Sequence, residues 1–388
     1  MWFKKAVEKD DVLQALRGVK DDAQGADIVA LNMISGLSLS QEGDVIFMIE
    51  VDPERAASME PLRQRAEDVV KRLKGVKKVS AILTAERAAG EETYNAVKAH
   101  KENPQAGAQK DKAKIDPHGM DKNPRLKVPV KKIIVVSSGK GGVGKSTISM
   151  ALAYNLSKNS QLKIGILDAD IYGPSQNILS GLVEVEGGQK PKIDDENKII
   201  PPKIEVEGNA YGLKIMSIGF MVDTAKALVW RGPMVQSAIY QFFRDVRWNE
   251  GDGGADDLLD VLIVDMPPGT GDAQLTLAQK IDVDGAIIVS TPQDLALADA
   301  RRGVQMFEAT NVPVLGLIEN MSTHICSNCG HEEHIFGHGG AAREAEKLGI
   351  DFLGAVPLSM HIREACDEGK SFDLPQEIID KVRNSLHN

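Results

Sequence analysis

Apolar and polar positions divide this chain into two stretches of different character. In the first, the period changes every few residues. Asp10 to Val19 has helical spacing, Ile28 to Leu39 alternates as a strand does, and Val45 to Val51 returns after the polar turn Ser40–Asp44. Pro61 to Leu73 then sets Leu62, Ala66, Val69, Val70 and Leu73 on one helical face, and Val79 to Thr84 is a third strand. These elements predict a small α+β domain over residues 1–95. Over 96–127 no hydrophobic period survives among Lys, Pro, Gly and Asn, which predicts a flexible linker. From residue 128 to 388 apolar runs alternate with helical stretches. The runs are Ile133–Ser137, Lys163–Asp168, Val261–Asp265, Gly285–Ser290, Val314–Glu319 and Phe352–Val356. Strands apolar along their whole length are covered on both faces, so the expected fold is α/β, a doubly wound and mostly parallel sheet. Residues 183–215, rich in Gly, Pro, Lys and Glu, read as an insertion or hairpin at the sheet edge.

In such a sheet ligands bind at the carboxyl ends of the strands, and the chemistry-bearing residues fall there. After Ile133–Ser137 comes Ser138-Gly139-Lys140-Gly141-Gly142-Val143-Gly144-Lys145-Ser146-Thr147, and Ser146 to Lys158 then reads as a helix. This is the phosphate-loop pattern G-x-x-x-x-G-K-[ST] in its required strand–loop–helix setting. The glycines let backbone N–H groups turn inward around a phosphate, Lys145 reaches the β- and γ-phosphates, and the Ser146 hydroxyl can ligate Mg²⁺. Lys140 is a second lysine that the pattern does not require. Two further strand ends carry acids. Asp265 closes Val261–Asp265 and either holds Mg²⁺ through water or caps the next helix. The loop after it, Met266-Pro-Pro-Gly269-Thr270-Gly271-Asp272, reads as a switch whose Gly269 N–H is free to swing toward a γ-phosphate. Asp168 and Asp170 differ by two positions and point the same way on an extended segment. Asp170 is read as orienting water and Asp168 as metal or phosphate-loop support, with the reverse assignment left open.

Composition narrows the function classes. The chain has 388 residues, 42% hydrophobic and 26% charged, and a net charge of −10, which argues against a nucleic-acid footprint. No run of apolar residues is long enough to span a membrane, and Met1 to Asp11 has no apolar core with a cleavage site. The three cysteines, Cys326, Cys329 and Cys366, form no disulfide framework, so a cytoplasmic setting is expected. Cys326-Ser-Asn-Cys329 supplies two thiolates, whereas zinc or a [4Fe–4S] cluster takes four ligands. The other two come from the same motif on a second chain across a two-fold axis, or from His331, His334 and His338 in a Cys₂His₂ zinc site. A redox dithiol lacks the usual βαβ setting. Cys366 reads as structural.

The phosphate loop, Asp168-Ala-Asp-Ile-Tyr-Gly-Pro-Ser, Trp230-Arg-Gly-Pro-Met234 and Val264-Asp-Met-Pro-Pro-Gly-Thr-Gly-Asp272 together resemble the Mrp family over about residues 128–375. These are deviant-Walker P-loop ATPases, related to ParA and MinD, that act as iron–sulfur cluster carriers. The resemblance implies a P-loop NTPase domain, ATP with Mg²⁺, and a homodimer in which Lys140 contacts the partner's nucleotide. It also implies that Cys326 and Cys329 of two chains bridge a [4Fe–4S] cluster, exchanged with iron–sulfur scaffold proteins and recipient apoproteins, and that Asn320 faces adenine. Ser290–Asp294 matches a family loop that shapes the dimer or carries the nucleotide signal; read as a residue by itself, Arg231 either meets an acidic partner or the other subunit or lies solvated at the surface. The first domain resembles, in pattern only, an iron–sulfur-assembly domain. Some members carry a cysteine before the second helix; Val51–Pro61 has none, so partner docking is the expectation there. The rival class is a nucleotide-switched positioning protein. The tail Pro375–Asn388, short and of mixed charge, suits neither its membrane helix nor its DNA-binding face.

Overall fold

The computed structural model describes residues 7–40, 43–51, 55, 59–84, 125–182, 191–221, 232–251, 255–271, 274, 277–278, 280–326 and 328–386. Trp230, Arg231, Asp272 and most of the expected linker lie outside these residues. In the first part, β1 (Ile34–Leu39) and β2 (Asp44–Glu50) form an antiparallel hairpin, and β3 (Lys78–Thr84) pairs parallel to β2. The helices Lys9–Leu16 and Glu60–Lys71 belong to this unit. Its first strand begins six residues later than alternation predicts. The reason is local: Asp27 Oδ1 accepts from the Val29 and Ala30 N–H groups at 3.1 and 2.8 Å, and Asn32 sits at φ 53°. An Asp that binds the backbone just ahead of it stabilises a turn in place of a strand.

The second part is one sheet of nine strands. Its parallel body runs β9 (Asn209–Met216), β5 (Ile164–Asp168), β10 (Leu259–Asp265), β4 (Val130–Ser137), β11 (Gly285–Ser290), β12 (Val314–Ile325) and β14 (Phe352–Leu358). Antiparallel partners finish it: β8 (Lys203–Val206) on β9, and β13 (Glu332–Glu333) on the far end of β12. The six expected strands are all present and parallel. A seventh, β9, lies within the stretch read as an insertion, and β12 runs six residues past its expected end. Both differences come from polar side chains, since the start of β9 and the end of β12 lie at the sheet margin, where one face meets water.

Alternate residues of each strand enter opposite cores. Ile134 and Val136 join Ile148, Leu152 and Leu156 of the helix Lys145–Ser157, while Ile133 and Val135 join the face covered by the helices Gly232–Asp245 and Asp294–Ala309. The first unit packs on that second face. Gln241 Nε2 donates to the Ala81 carbonyl at 3.4 Å. The small hairpin β6 (Lys192–Ile193) and β7 (Ile199–Ile200) meets the unit too, through Ile193 N–H to Asp44 Oδ2 at 3.4 Å and Lys78 to Asp195 at 2.9 Å. The hairpin is therefore a second contact between the two units, beside the helix Gly232–Asp245, a role not legible beforehand; residues 183–190 lie outside the described set. Among the described residues no helix is long and apolar enough to cross a membrane.

Lys214 pins the sheet edge. Its buried Nζ donates to the carbonyls of Asn249, Trp248 and Arg247 at 2.7, 2.8 and 3.3 Å, and Glu250 lies 3.3 Å away. Burial brings its pKa down to about 8. Replacing the amine strands three carbonyls, while Glu250 keeps Lys203 at 2.9 Å, so Lys214→Met is expected to lower unfolding free energy by about 3 kcal/mol. Denaturant melts of variant and parent check this.

Candidate nucleotide and metal site

The loop between β4 and the helix starting at Lys145 is shaped by glycine. Gly142 and Gly144 sit at φ 83° and 82°, a region where L side chains are strained. A Cβ on Gly144 would also overlap the Asn320 amide, which donates to the Val143 carbonyl at 2.8 Å. Gly139 is pressed against the Asp299 backbone with no room for a side chain. The loop is thus held by Asn320 from within β12 and by the helix carrying Asp299, while Lys140, Gly141 and Gly142 stay exposed. Ser138 Oγ donates to the Lys140 carbonyl at 3.0 Å.

Below the loop lies a buried ion pair. Lys145 Nζ, in a side chain 6% exposed, stands 2.5 Å from Oδ1 of Asp265, which is 0% exposed. The same amine donates to Ser146 Oγ at 3.1 Å. Asp265 also accepts from Ser149 Oγ at 3.0 Å and Gln176 Nε2 at 2.8 Å. An unpaired carboxylate at this depth costs several kcal/mol, so the carboxylate keeps a cation against it. Thr147, next in the helix, hydrogen-bonds Cys366, whose thiol burial pushes up.

Asp168 stands level with Asp265 on the neighbouring strand. Its Oδ2 accepts from Ser175 N–H at 2.9 Å, Gln176 N–H at 3.0 Å and Ser217 Oγ at 2.9 Å, and its Oδ1 from Asp170 N–H at 3.1 Å. Its carboxylate therefore ties down the 170–176 loop. Burial and the adjacent Asp265 charge push its pKa up to about 7, against the pull of those N–H groups. Asp170 is half-buried, with Oδ1 accepting from Gly173 N–H at 3.2 Å. Burial raises its pKa, and the Lys145 charge opposes the rise. The two acids do not act as a matched pair: one is turned into the loop, the other lies within reach of the Lys145 field. Gly269, at φ 99°, differs from expectation. Its N–H is not free but donates to the Ser138 carbonyl at 2.9 Å, so any swing must first break that bond.

The thiols sit at the end of β12. Cys326 is half-exposed and Cys329 exposed. Cys326 N–H donates to the His331 carbonyl at 2.9 Å, and Gly330 N–H, at φ 70°, donates to the Cys326 carbonyl at 2.8 Å. The N–H groups of Asn328 and Cys329 hydrogen-bond the Cys326 sulfur and lower its pKa. A turn that aims N–H groups at a sulfur favours thiolate, the form that binds metal. The histidines do not complete a site: the His334 and His338 rings meet each other at a tilt of 54° with centroids 4.2 Å apart, and among the described residues no group of three His, Cys, Asp or Glu side chains is placed to hold a metal. Against the glycine loop lies a cleft of about 110 Å³, lined by Lys140, Val143, Thr291, Gln293, Met321 and Phe336. Gln176, Ser149 and Ser217 escaped the sequence reading. Ser149 had a signal in its i+4 spacing from Lys145; Gln176 and Ser217 had none.

Two family profiles match the chain. The NUBPL iron-transfer P-loop NTPase profile covers residues 129–386, and the iron–sulfur cluster assembly protein profile covers residues 9–81. The chain belongs to the NUBPL iron-transfer P-loop NTPase family. All the glycine-loop, acidic and cysteine positions described here fall inside the matched span. Among relatives in the family, the iron–sulfur cluster carrier protein of Pseudomonas fragi is 52% identical over 62% of this chain and 78% of its own length. The iron–sulfur protein required for NADH dehydrogenase of Arabidopsis thaliana is 50% identical over 66% of this chain and 77% of its own. Among solved structures, a nucleotide-binding protein from Archaeoglobus fulgidus in complex with ADP is 34% identical, covers 67% of this chain and 92% of that chain, and superposes with a TM-score of 0.51.

The Asp168 geometry sets a pH dependence. Its carboxyl titrates near 7 when folded and near its ordinary 3.8 when unfolded, so the folded chain holds the extra proton between those values. The residue's contribution to stability therefore falls as pH rises across that window. The wild type is expected to lose stability relative to Asp168→Asn between about pH 5 and 7. Denaturant titrations at several pH values measure it, and a constant gap would show ordinary ionisation.

Proposed function

We propose that this chain is an ATP-binding, ATP-hydrolysing carrier that holds a [4Fe–4S] cluster between two copies of itself and passes it to apoproteins. The observation that carries the cluster reading is the Cys326–Gly330 turn, which aims two N–H groups at one sulfur and offers two thiols where a cluster needs four. Two turns meeting on a two-fold axis supply the set. Exposed Ile325 and Ile335 beside the thiols, and Leu295 near the glycine loop, favour burial against a second copy. The names of the relatives as cluster carrier and transfer proteins support the same cargo. Three free thiols suit the cytoplasm, and neither nucleic acid nor membrane enters the reading.

The glycine loop fits ATP. Gly139, Gly141, Gly142, Val143, Gly144 and Thr147 present the loop backbone and helix start to the phosphates, and Lys145 moves from Asp265 to the β/γ-phosphates. Ser146 and Asp265 then hold Mg²⁺, which neutralises phosphate charge when bound. Asp170 orients the attacking water, and Asp168 supports it by fixing the loop. Asn320 steadies Val143 and turns its amide to adenine. Gly269 exchanges the Ser138 carbonyl for the γ-phosphate, which makes the loop sensitive to nucleotide state. Lys140 crosses to the partner's nucleotide.

Two experiments test this. Anaerobically reconstituted protein is expected to be brown, with about four irons per dimer, and Cys326→Ala and Cys329→Ala each to lose both iron and sulfide. Colourless protein holding one zinc per chain would overturn the cluster reading. For the shared site, Lys140→Ala and Asp170→Ala should each lack hydrolysis when alone. Mixed, they should regain about a quarter of wild-type activity, because half the dimers are hybrids with one intact site. No recovery on mixing places Lys140 in its own chain's site.

A further inference from the structure

Gln176 opens the one-turn helix Gln176–Leu179 and is 0% exposed. Its side-chain amide donates to Asp265 Oδ2 at 2.8 Å and to the Ser146 carbonyl at 3.1 Å, and its backbone N–H donates to Asp168 Oδ2 at 3.0 Å. One residue thus touches the phosphate loop, the acid closing β10 and the acid closing β5. Its carbonyl oxygen, Oε1, is buried and has no hydrogen-bond partner. An amide oxygen left in that state has lost its water without gaining a partner in exchange. The neighbouring Asn177, also 0% exposed, has neither amide atom partnered, so the deficit is concentrated on this turn. Buried polar atoms of this kind mark a place for a donor that the protein's own side chains do not supply, a water or the hydration shell of an ion.

We infer that Gln176 is the positioning residue of the magnesium site, holding Asp265 through Nε2 while Oε1 accepts a hydrogen bond from metal-bound water. The inference rests on the reading of Ser146 and Asp265 given above. Magnesium gives up its waters reluctantly, so a site with few protein ligands needs acceptors for water hydrogens just outside them. Gln176 is placed for this without being a ligand. When Lys145 leaves for phosphate, Asp265 loses its cation but keeps the Gln176 and Ser149 donors, which hold its carboxylate in place. Through its backbone bond to Asp168, the same residue ties metal occupancy to the loop that carries Asp170.

The test is ADP affinity of the full chain by calorimetry, in magnesium and in EDTA. Gln176→Met keeps length and removes both polar groups; Gln176→Asn keeps both groups one methylene short and serves if the first fails to fold. Either variant is expected to lose about ten-fold in the magnesium arm and to stay within about two-fold of wild type in EDTA. Adding Gln176→Met to Asp265→Asn should cost little further, because the two act through one carboxylate. Variants that retain the full magnesium gain, or that lose affinity equally in both arms, overturn the inference. A wild type whose ADP affinity ignores magnesium overturns instead the assignment of Ser146 and Asp265.

Discussion

The Lys145–Asp265 ion pair is the contact on which the rest of the site depends. It lies where the sheet is most enclosed, with Asp265 fully buried and a second carboxylate, Asp168, level with it on the next strand. Burial and the neighbouring Asp265 charge make Asp168 resist ionisation. One cation and a ring of N–H and O–H donors keep the arrangement folded: Lys145, Ser149 and Gln176 serve Asp265, while Asp170, Ser175, Gln176 and Ser217 serve Asp168. The lysine that a phosphate would attract is therefore also the lysine that stabilises the buried Asp265 carboxylate. Nucleotide binding cannot be a local event there, since drawing the amine away requires a replacement charge.

That dependence reaches outward along two paths. One is the 170–176 loop, tied to Asp168 by three backbone N–H groups. The other starts at the glycine loop, where Asn320 holds the Val143 carbonyl from within β12. The same strand continues to Cys326. The glycine loop and the thiols are thus attached to a single element, with the cleft of Thr291, Gln293, Met321 and Phe336 beside it.

How much of this was legible in sequence follows from burial. The six apolar strands were plain because both faces of each are covered, Asp168 and Asp265 because charge at the end of such a strand has few explanations, and Lys145 because the phosphate-loop pattern fixes its place at the helix start. The start of β9, the end of β12 and the hairpin Lys192–Ile200 carry polar residues because they lie at margins, and polar margins look like loops. Gln176 was invisible for another reason. Its importance comes from contacts with Ser146, Asp168 and Asp265, set 30, 8 and 89 residues away in the chain, and no local spacing records them. Gly269 was located but its state was not, because whether an N–H is engaged depends on a partner across the fold.

Met321 adds a mechanical consequence. It is a non-glycine residue at φ 56°, directly after Asn320, and the pairing of β12 with β14 slips register between Asn320 and His324. The strand therefore has a joint at this point, and the first thiol lies five residues beyond it. At about 3.3 Å per residue the arm is roughly 16 Å long, so a turn of about 5° at the joint displaces Cys326 by about 1.4 Å. Metal–thiolate distances are held to within about 0.2 Å. A hinge motion too small to disturb the sheet is thus already larger than a thiolate–metal bond can follow.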